Sequence, residues 1–275
     1  LTHRGAIGEN DCFSLYSAEL MAAYKPEDWS REIRETARVA SREDAKVIAS
    51  IAGRDLGEWC KLAVMMEDAG ADMIELNTSC PHVTVEAMGR NVGSSPDASF
   101  EVIESVREST SLPVMAKLTP EAGNLVPVAV ALEKAGVDCL AVMARFRALI
   151  LDIEKKEPIL WRSYGGYGGP WMVPLGLRWV SEVAAAVRTP ICGAPGISTW
   201  RDVVSYLMVG ARAAQVVTAA IVNGYQAYDR MIRGLESYMD KQGFSKTEEM
   251  IGNALDKIVP FREIAKEEGL SLIHI

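Results

Sequence analysis

The sequence predicts an α/β fold built on a parallel sheet, and three observations carry that prediction. Residues 45–220 repeat one pattern: a short apolar run, a turn rich in Gly, Pro, Asn or Ser, then a stretch with apolar positions three and four apart. The short runs show almost no polar alternation, as in strands covered on both faces. The longer stretches stop at glycines, Gly70, Gly136 and Gly210 among them, where a left-handed residue closes a helix.

Six runs read as strands: Val47–Ala52, Met73–Thr78, Val114–Leu118, Cys139–Met143, Ile191–Ala194 and Ala214–Thr218. Between them lie helical stretches at Glu58–Ala69, Ser99–Ser109, Leu125–Ala135, Leu177–Val187 and Trp200–Val209. Six β/α units spaced roughly 25–50 residues apart suit a (β/α)8 TIM barrel, which takes about 250 residues. An open doubly wound sheet shares this periodicity and is the rival architecture. Residues 1–30 read as polar, aromatic loop, with Lys25-Pro26-Glu27-Asp28 opening a helix near Trp29. After residue 240 the pattern reads helix, loop, helix. The expected organisation is a barrel domain over 1–240 lacking its first two β/α units, and a helical extension over 241–269. The last six residues, 270–275, read LSLIHI, which matches the translation of a transposon-end adapter used in sequencing libraries; they are expected to be non-native, so His274 carries no weight.

Composition narrows the function class. Of 275 residues, 49% are hydrophobic and 24% charged, as in an ordinary soluble enzyme. A net charge of −8 and a pI near 5.1 point away from nucleic acid or an anionic membrane as the main partner. No apolar run reaches the roughly 18 residues that span a bilayer, and no charged-then-apolar signal pattern stands at the N-terminus. The cysteines, at 12, 60, 80, 139 and 192, are odd in number and never spaced CxxC. That usage argues against a disulfide framework or a zinc site and for a reducing cytoplasm.

Barrel chemistry sits where strands end and βα loops begin. The second run ends in Asn77-Thr78-Ser79-Cys80-Pro81-His82, the third in Lys117-Leu118-Thr119-Pro120 and the fourth in Ala144-Arg145-Phe146-Arg147. A glycine run, Gly165-Gly166-Tyr167-Gly168-Gly169, follows, then Gly193-Ala194-Pro195-Gly196 and Thr218-Ala219. Cys80 beside Asn77 and His82 is a candidate acid or base, since neighbours tune a thiol; as a lone cysteine it also reads as a small buried residue. Lys117 ends an apolar strand and needs a partner, either a ligand or Glu75 on a neighbouring strand. The glycine run permits close approach to a ligand. Gly196 and Thr218 occupy the strand ends where barrels often bind phosphate through amides and a helix N-terminus.

Together these residues resemble the dihydroorotate dehydrogenase superfamily of FMN barrels, and more closely the FMN-containing, pyrimidine-reducing part of dihydropyrimidine dehydrogenases. The resemblance covers roughly residues 15–255. It rests on ELNTSCPH at 75–82, AKLTP at 116–120, YGGYGGP at 164–170, and the stretch from Thr199-Trp200-Arg201-Asp202 through Gln215-Val216-Val217-Thr218-Ala219. Gly234-Leu235 and the run Met239-Asp240-Lys241-Gln242-Gly243 match its bacterial branch. The resemblance implies that Cys80 exchanges a proton with one substrate carbon while FMN N5 exchanges a hydride with its neighbour. It implies that Asn77 hydrogen-bonds substrate, that Ser79, which helps to hold the loop, and His82 belong to the substrate site, and that Lys117 faces the N1/O2 edge of the flavin. Gly168 and Gly169 match the glycine turn beside the cofactor. Ala194, Pro195, Gly196, Val217 and Thr218 match its phosphate cradle, and Glu19 an acidic residue on an earlier loop.

Three departures bear on the substrate. The pyrimidine-holding Asn-Thr pair of the family is here Ala144-Arg145, and a further substrate Asn is Ser17. Losing ring-amide partners argues against a pyrimidine, because polar readout discriminates strongly. Arg145 and Arg147 suggest an anionic group such as a carboxylate, or else two solvated side chains. Pro195 replaces a phosphate-loop glycine and deletes one amide donor, a loss of about 1–3 kcal/mol. The expected function is FMN-dependent oxidoreduction of a CH–CH or C=C bond beside a carbonyl, on a small, anionic, non-pyrimidine substrate. A separate electron-transfer partner, NAD(P)H-oxidising or iron–sulfur, and a homo-oligomer are also expected, with no metal bound by this chain. The alternative is a catalytically degenerate barrel acting as a binding or scaffold subunit.

Overall fold

Two larger sheets of opposite character and a small two-stranded one share the chain, and the computed structural model describes residues 2–7, 10–17, 24–80, 88–160, 162–260 and 263–264. In chain order come strands β1 (Thr2–Ile7) and β2 (Asn10–Ser17), helix α1 (Pro26–Ala40), β3 (Ile48–Ile51), α2 (Leu56–Asp68) and β4 (Met73–Leu76). Then follow α3 (Gly89–Gly93), α4 (Pro96–Ser109), β5 (Val114–Lys117), α5 (Leu125–Lys134) and β6 (Cys139–Val142). Short strands β7 (Phe146–Ala148), β8 (Leu151–Asp152), β9 (Glu157–Pro158) and β10 (Gly165–Gly168) lead to α6 (Val173–Ala186) and β11 (Ile191–Gly193). The chain continues through α7 (Trp200–Met208), β12 (Ala213–Ala214), α8 (Thr218–Asn223) and α9 (Gln226–Gln242).

The larger sheet is parallel, in the order β12-β11-β6-β5-β4-β3. Strand order follows chain order without reversal, whereas a doubly wound sheet reverses at its switch point. The sheet is also curled. Gln215, just past β12, donates from Nε2 to Glu75 Oε2 of β4 at 2.6 Å. Four strand spacings separate β12 from β4, about 19 Å in a flat sheet. Two side chains close that distance only if the strands wrap around an axis, so the six strands form an arc of a barrel.

Each strand sorts its side chains by a period of two. Ile74, Leu76, Val114, Ala116, Leu140, Val142 and Ile191 join the main core beneath the helices, together with Trp59, Ile103 and Leu132. The intervening residues face inward, where Met115, Ala141 and Cys192 form a small separate cluster flanked by Met73 and Cys139. The apolar runs therefore hide an alternation in which Ser50, Glu75 and Lys117 supply the polar inner residues.

Helix starts are set by local chemistry. Asp55 caps α2 by accepting from Glu58 N, Ser95 caps α4 ahead of Pro96, and Thr199 with Asp202 forms a capping box on α7. Gly70, Gly136 and Gly210 follow helix ends with φ of 94°, 85° and 105°, the left-handed values expected at these stops.

The structure corrects the expectation that residues 1–30 are loop ahead of the first helix. β1 and β2 form an antiparallel pair, and β2 joins β10 and β7 in a second sheet ordered β1-β2-β10-β7. Ser17 registers with Gly166 and Leu15 with Gly168. The pairing of β2 with β10, about 150 residues downstream, leaves little local trace. These two strands are not members of the barrel arc. The last predicted strand is also shorter than expected: β12 is two residues, and Thr218 opens α8. After α9 the chain turns at Thr247–Met250 and Leu255–Lys257, with Gly252 N bonded to Leu207 O. The adapter-like residues 270–275 lie outside the described residues, as do Glu19 and His82. Among the described residues no helix is long and apolar enough to cross a membrane.

Candidate functional site

The C-terminal ends of β4, β5, β6, β11 and β12 open on one cleft of about 510 Å³, walled on the far side by β2 and β10. That volume lies within the range of small-molecule sites. The convergence follows from the parallel arc, which brings every strand end to the same rim.

From β4 come Asn77, Ser79 and Cys80, all lining the cleft. Ser79 is buried and donates from Oγ to Asn77 Oδ1 at 2.8 Å. With its carbonyl oxygen engaged, Asn77 presents its amide NH2 as the group able to meet a ligand acceptor. Thr78, 1% exposed, donates from Oγ1 to Lys117 O at 2.7 Å and so ties this loop to the next strand. A Cβ on Gly93 would stand 2.0 Å from Thr78 O, so α3 can back the loop only because a glycine is there. Cys80 is 7% exposed and not in a disulfide.

Lys117 ends β5 with its Nζ 3.7 Å from Glu75 Oε1 and its side chain about a quarter exposed on the cleft. The carboxylate partner read from the sequence is present, and the side chain also lines the cleft. Glu75 is held in turn by Ser50 Oγ at 2.9 Å and by Gln215 Nε2. Sequence reasoning named Glu75 only as a possible partner and missed Ser50 and Gln215. A polar residue every second position in otherwise apolar strands was the available signal. Deeper on the inner face, burial pushes the Cys139 thiol up to about 11 and the Cys192 thiol up to about 12. Both stay protonated at neutral pH and are not placed for acid–base work.

The loop after β6 splits the two arginines that the sequence paired. Arg145 and Ala144 line the cleft, and Arg145 Nη1 donates to Ser17 Oγ at 2.6 Å. Arg147 is engaged elsewhere: its Nε lies 3.7 Å from Glu121 Oε2 and its guanidinium 5.0 Å from the Tyr164 ring centre. That arrangement fastens β7 to the turn after β5. Both the reading of two arginines on one anion and that of two solvated side chains are therefore corrected: Arg145 faces the site, and Arg147 is a structural clamp.

The glycine run explains how Arg145 fits. A Cβ at Gly166 would stand 2.9 Å from Arg145 Cζ, and one at Gly168 would stand 3.0 Å from Arg145 Cγ. The arginine side chain lies along bare backbone. Gly169 packs more closely still, on the Phe13 carbonyl, with a hypothetical Cβ at 2.3 Å.

The remaining wall is Ala194, Pro195 and Gly196 after β11, and Val217 and Thr218 after β12. Gly196 has φ of 81°, a conformation that favours glycine. Among the described residues no acceptor takes the backbone N–H of Gly196, Ile197, Val217 or Thr218. Amides that line a cleft without a protein acceptor suit an anion such as a phosphate ester. With six residues, α8 is too short to supply much of a dipole, so any anion affinity here comes from the amides themselves. Among the described residues no cluster of three His, Cys, Asp or Glu side chains is placed to hold a metal.

Comparison with known proteins agrees with this geometry. The family model described as dihydroorotate dehydrogenase matches residues 19–239. The chain is 38% identical over 212 residues to the catalytic subunit of dihydroorotate dehydrogenase B (NAD(+)) from Pyrococcus abyssi, covering 77% of this chain and 70% of that relative. It is 36% identical over 229 residues to the NAD-dependent dihydropyrimidine dehydrogenase subunit PreA of Escherichia coli K12, covering 80% of this chain and 56% of that relative. The chain thus spans little more than half the length of the latter.

Proposed function

We propose that this chain, which belongs to the dihydroorotate dehydrogenase family, is an FMN-dependent oxidoreductase acting on a CH–CH bond, or its C=C counterpart, beside a carbonyl. The observation that carries the reading is the meeting of Asn77, Cys80 and Lys117 with a wall of acceptor-less amides on one cleft.

The residues present fit FMN. The amides of Gly196, Ile197, Val217 and Thr218 suit its phosphate, and Gly168 and Gly169 keep side chains away from the cofactor wall. Lys117 offers the cation that a reduced flavin ring needs. When bound, FMN supplies two-electron chemistry, exchanging a hydride at N5 with one carbon of the substrate.

The protein's own groups complete the reaction. The Cys80 thiol gives a proton to the carbon next to the one that receives hydride, and the C=C bond becomes CH–CH. The thiolate left behind regains a proton from water; in the oxidative direction it takes the proton from carbon instead. The Asn77 NH2, aimed by Ser79, donates to the substrate carbonyl and drains charge as the adjacent C–H bond forms or breaks. Lys117, restrained by Glu75, holds positive charge on the cofactor wall.

Arg145 supports a substrate that carries an anionic group, most simply a carboxylate, in place of a pyrimidine ring amide. Its guanidinium, bonded to Ser17 and lying along a bare glycine strand, is a cationic group lining the cleft, of the kind that meets a carboxylate in bidentate fashion. Electrons would reach this subunit from a separate NAD(H)-linked partner, consistent with relatives named as subunits of NAD-dependent enzymes.

The test is the visible spectrum of the purified protein after addition of FMN and removal of excess. A yellow protein that bleaches with dithionite is expected. A colourless protein that takes up no FMN would instead support a degenerate, scaffold-like barrel.

A further inference from the structure

We propose that Tyr206 is a positioning residue that aims the Gly196 amide into the phosphate end of the cleft. The inference rests on the FMN reading and concerns a side chain that touches neither cofactor nor substrate.

Tyr206 lies on α7, behind β11, and is 0% exposed. Its ring passes between two glycines that leave it room. A Cβ at Gly193 would stand 2.4 Å from the ring, and one at Gly176 of α6 would stand 1.8 Å from the hydroxyl. Through that slot the hydroxyl donates to Pro195 O at 2.7 Å. Burial pushes the phenol above its ordinary range, so it remains a donor at any working pH.

The consequence follows from peptide geometry. Among the described residues the only cis bond is Val142–Met143, so the Pro195–Gly196 peptide is trans. In a trans peptide the C=O and the following N–H point in opposite directions. Pinning the Pro195 carbonyl toward Tyr206, away from the rim, turns the Gly196 N–H the other way. Gly196 lines the cleft, and its N–H meets no acceptor among the described residues. Pro195 contributes no N–H of its own. The loop therefore depends on the direction of the next amide, and the Tyr206 hydroxyl sets that direction. The left-handed φ of Gly196, at 81°, lets the chain turn away immediately afterwards.

The experiment compares FMN with riboflavin, which shares the ring but lacks the phosphate. Titration of full-length wild type and Tyr206→Phe, followed by flavin fluorescence, gives four dissociation constants. The variant is expected to bind FMN roughly tenfold more weakly, the worth of one aimed hydrogen bond to a charged group. Riboflavin affinity should stay within about twofold, since nothing near the ring changes. Equal weakening of both flavins, or of neither, overturns the role of Tyr206. A wild type that binds neither flavin overturns the cofactor reading itself, and the proposal with it. If Tyr206→Phe does not fold, amide hydrogen exchange in the wild type decides. Protection of the Gly196 N–H by FMN but not by riboflavin is expected, and equal protection by both overturns the proposal.

Discussion

The two walls of the cleft are built on different principles. One is the rim of the parallel arc, where Asn77, Cys80 and Lys117 sit at or just past strand ends braced by packed helices. The other is the antiparallel ribbon of β2 and β10, two strands from distant parts of the chain, with three glycines within Gly165–Gly168. Cys80 and Lys117, proposed above for proton transfer and cofactor contact, lie on the first wall, and Gly168, proposed beside the cofactor, lies on the second. Of the residues that depart from the family pattern, Ser17 lies on the second wall, and Arg145 reaches across from the first to bond it. Two departures separated by 128 positions in sequence are thus one structural feature. On the proposed reading the residues that depart from the family pattern bridge the two walls, whereas Cys80 and Lys117 belong to the first alone.

The sharpest way to break this division is Cys80→Ala. On the FMN reading, turnover should fall at least a hundredfold, the usual worth of a positioned acid or base, while FMN binding stays within about twofold. Stopped-flow measurement of the substrate half-reaction reads this directly, and unchanged turnover would remove Cys80 from the mechanism. Next in size is Arg145→Gln. Loss of a charge-assisted pair should raise KM for a carboxylate substrate roughly tenfold to a hundredfold, with much less effect on the corresponding amide. If the acid and the amide suffer equally, Arg145 is not the anion site.

Gly166→Ala probes the shelf beneath that arginine. The new methyl would meet a flexible guanidinium and not backbone, so the guanidinium shifts and the fold survives. A several-fold rise in KM with unaltered kcat is expected. The smallest effect concerns the inner face below the rim. Cys139 and Cys192 have thiol pKa values raised to about 11 and about 12, and an acid with a raised pKa keeps its proton to higher pH. At pH 8 the Cys139 thiolate fraction is on the order of one in a thousand, so iodoacetamide should label it far more slowly in native than in unfolded protein. Mass spectrometry across pH 7–10 should show native labelling climbing about tenfold per unit. A plateau near pH 8 would mean that the thiols are not shielded as the packing implies.

The sequence was most legible where chemistry is local. Five of the six predicted strand runs contain the observed strands, and the stops at Gly70, Gly136 and Gly210 hold, because a left-handed closing residue is a local demand. The motif loops were placed at strand ends by the same period. Pairing between distant segments was illegible. β2 finds β10 only in the folded chain, so Ser17 and Arg145 read as unrelated substitutions until a hydrogen bond joined them. Glu75 and Gln215 meet only because the sheet curls, a property of six strands together and of no single run.

By itself the sequence determined the parallel architecture, the rim on which the cleft opens, and the strand-end position of the loop at Asn77–Cys80. Each of these follows from periodicity and motif within about ten residues. Only tertiary structure decided which of two neighbouring arginines faces the site, what restrains Lys117, and which tyrosine reaches behind the loop at Pro195. Those outcomes depend on which surfaces meet across more than a hundred residues of chain, or on a hydroxyl crossing a slot between two glycines. A side chain's role there is set by what space and partners remain once the backbone has closed around it.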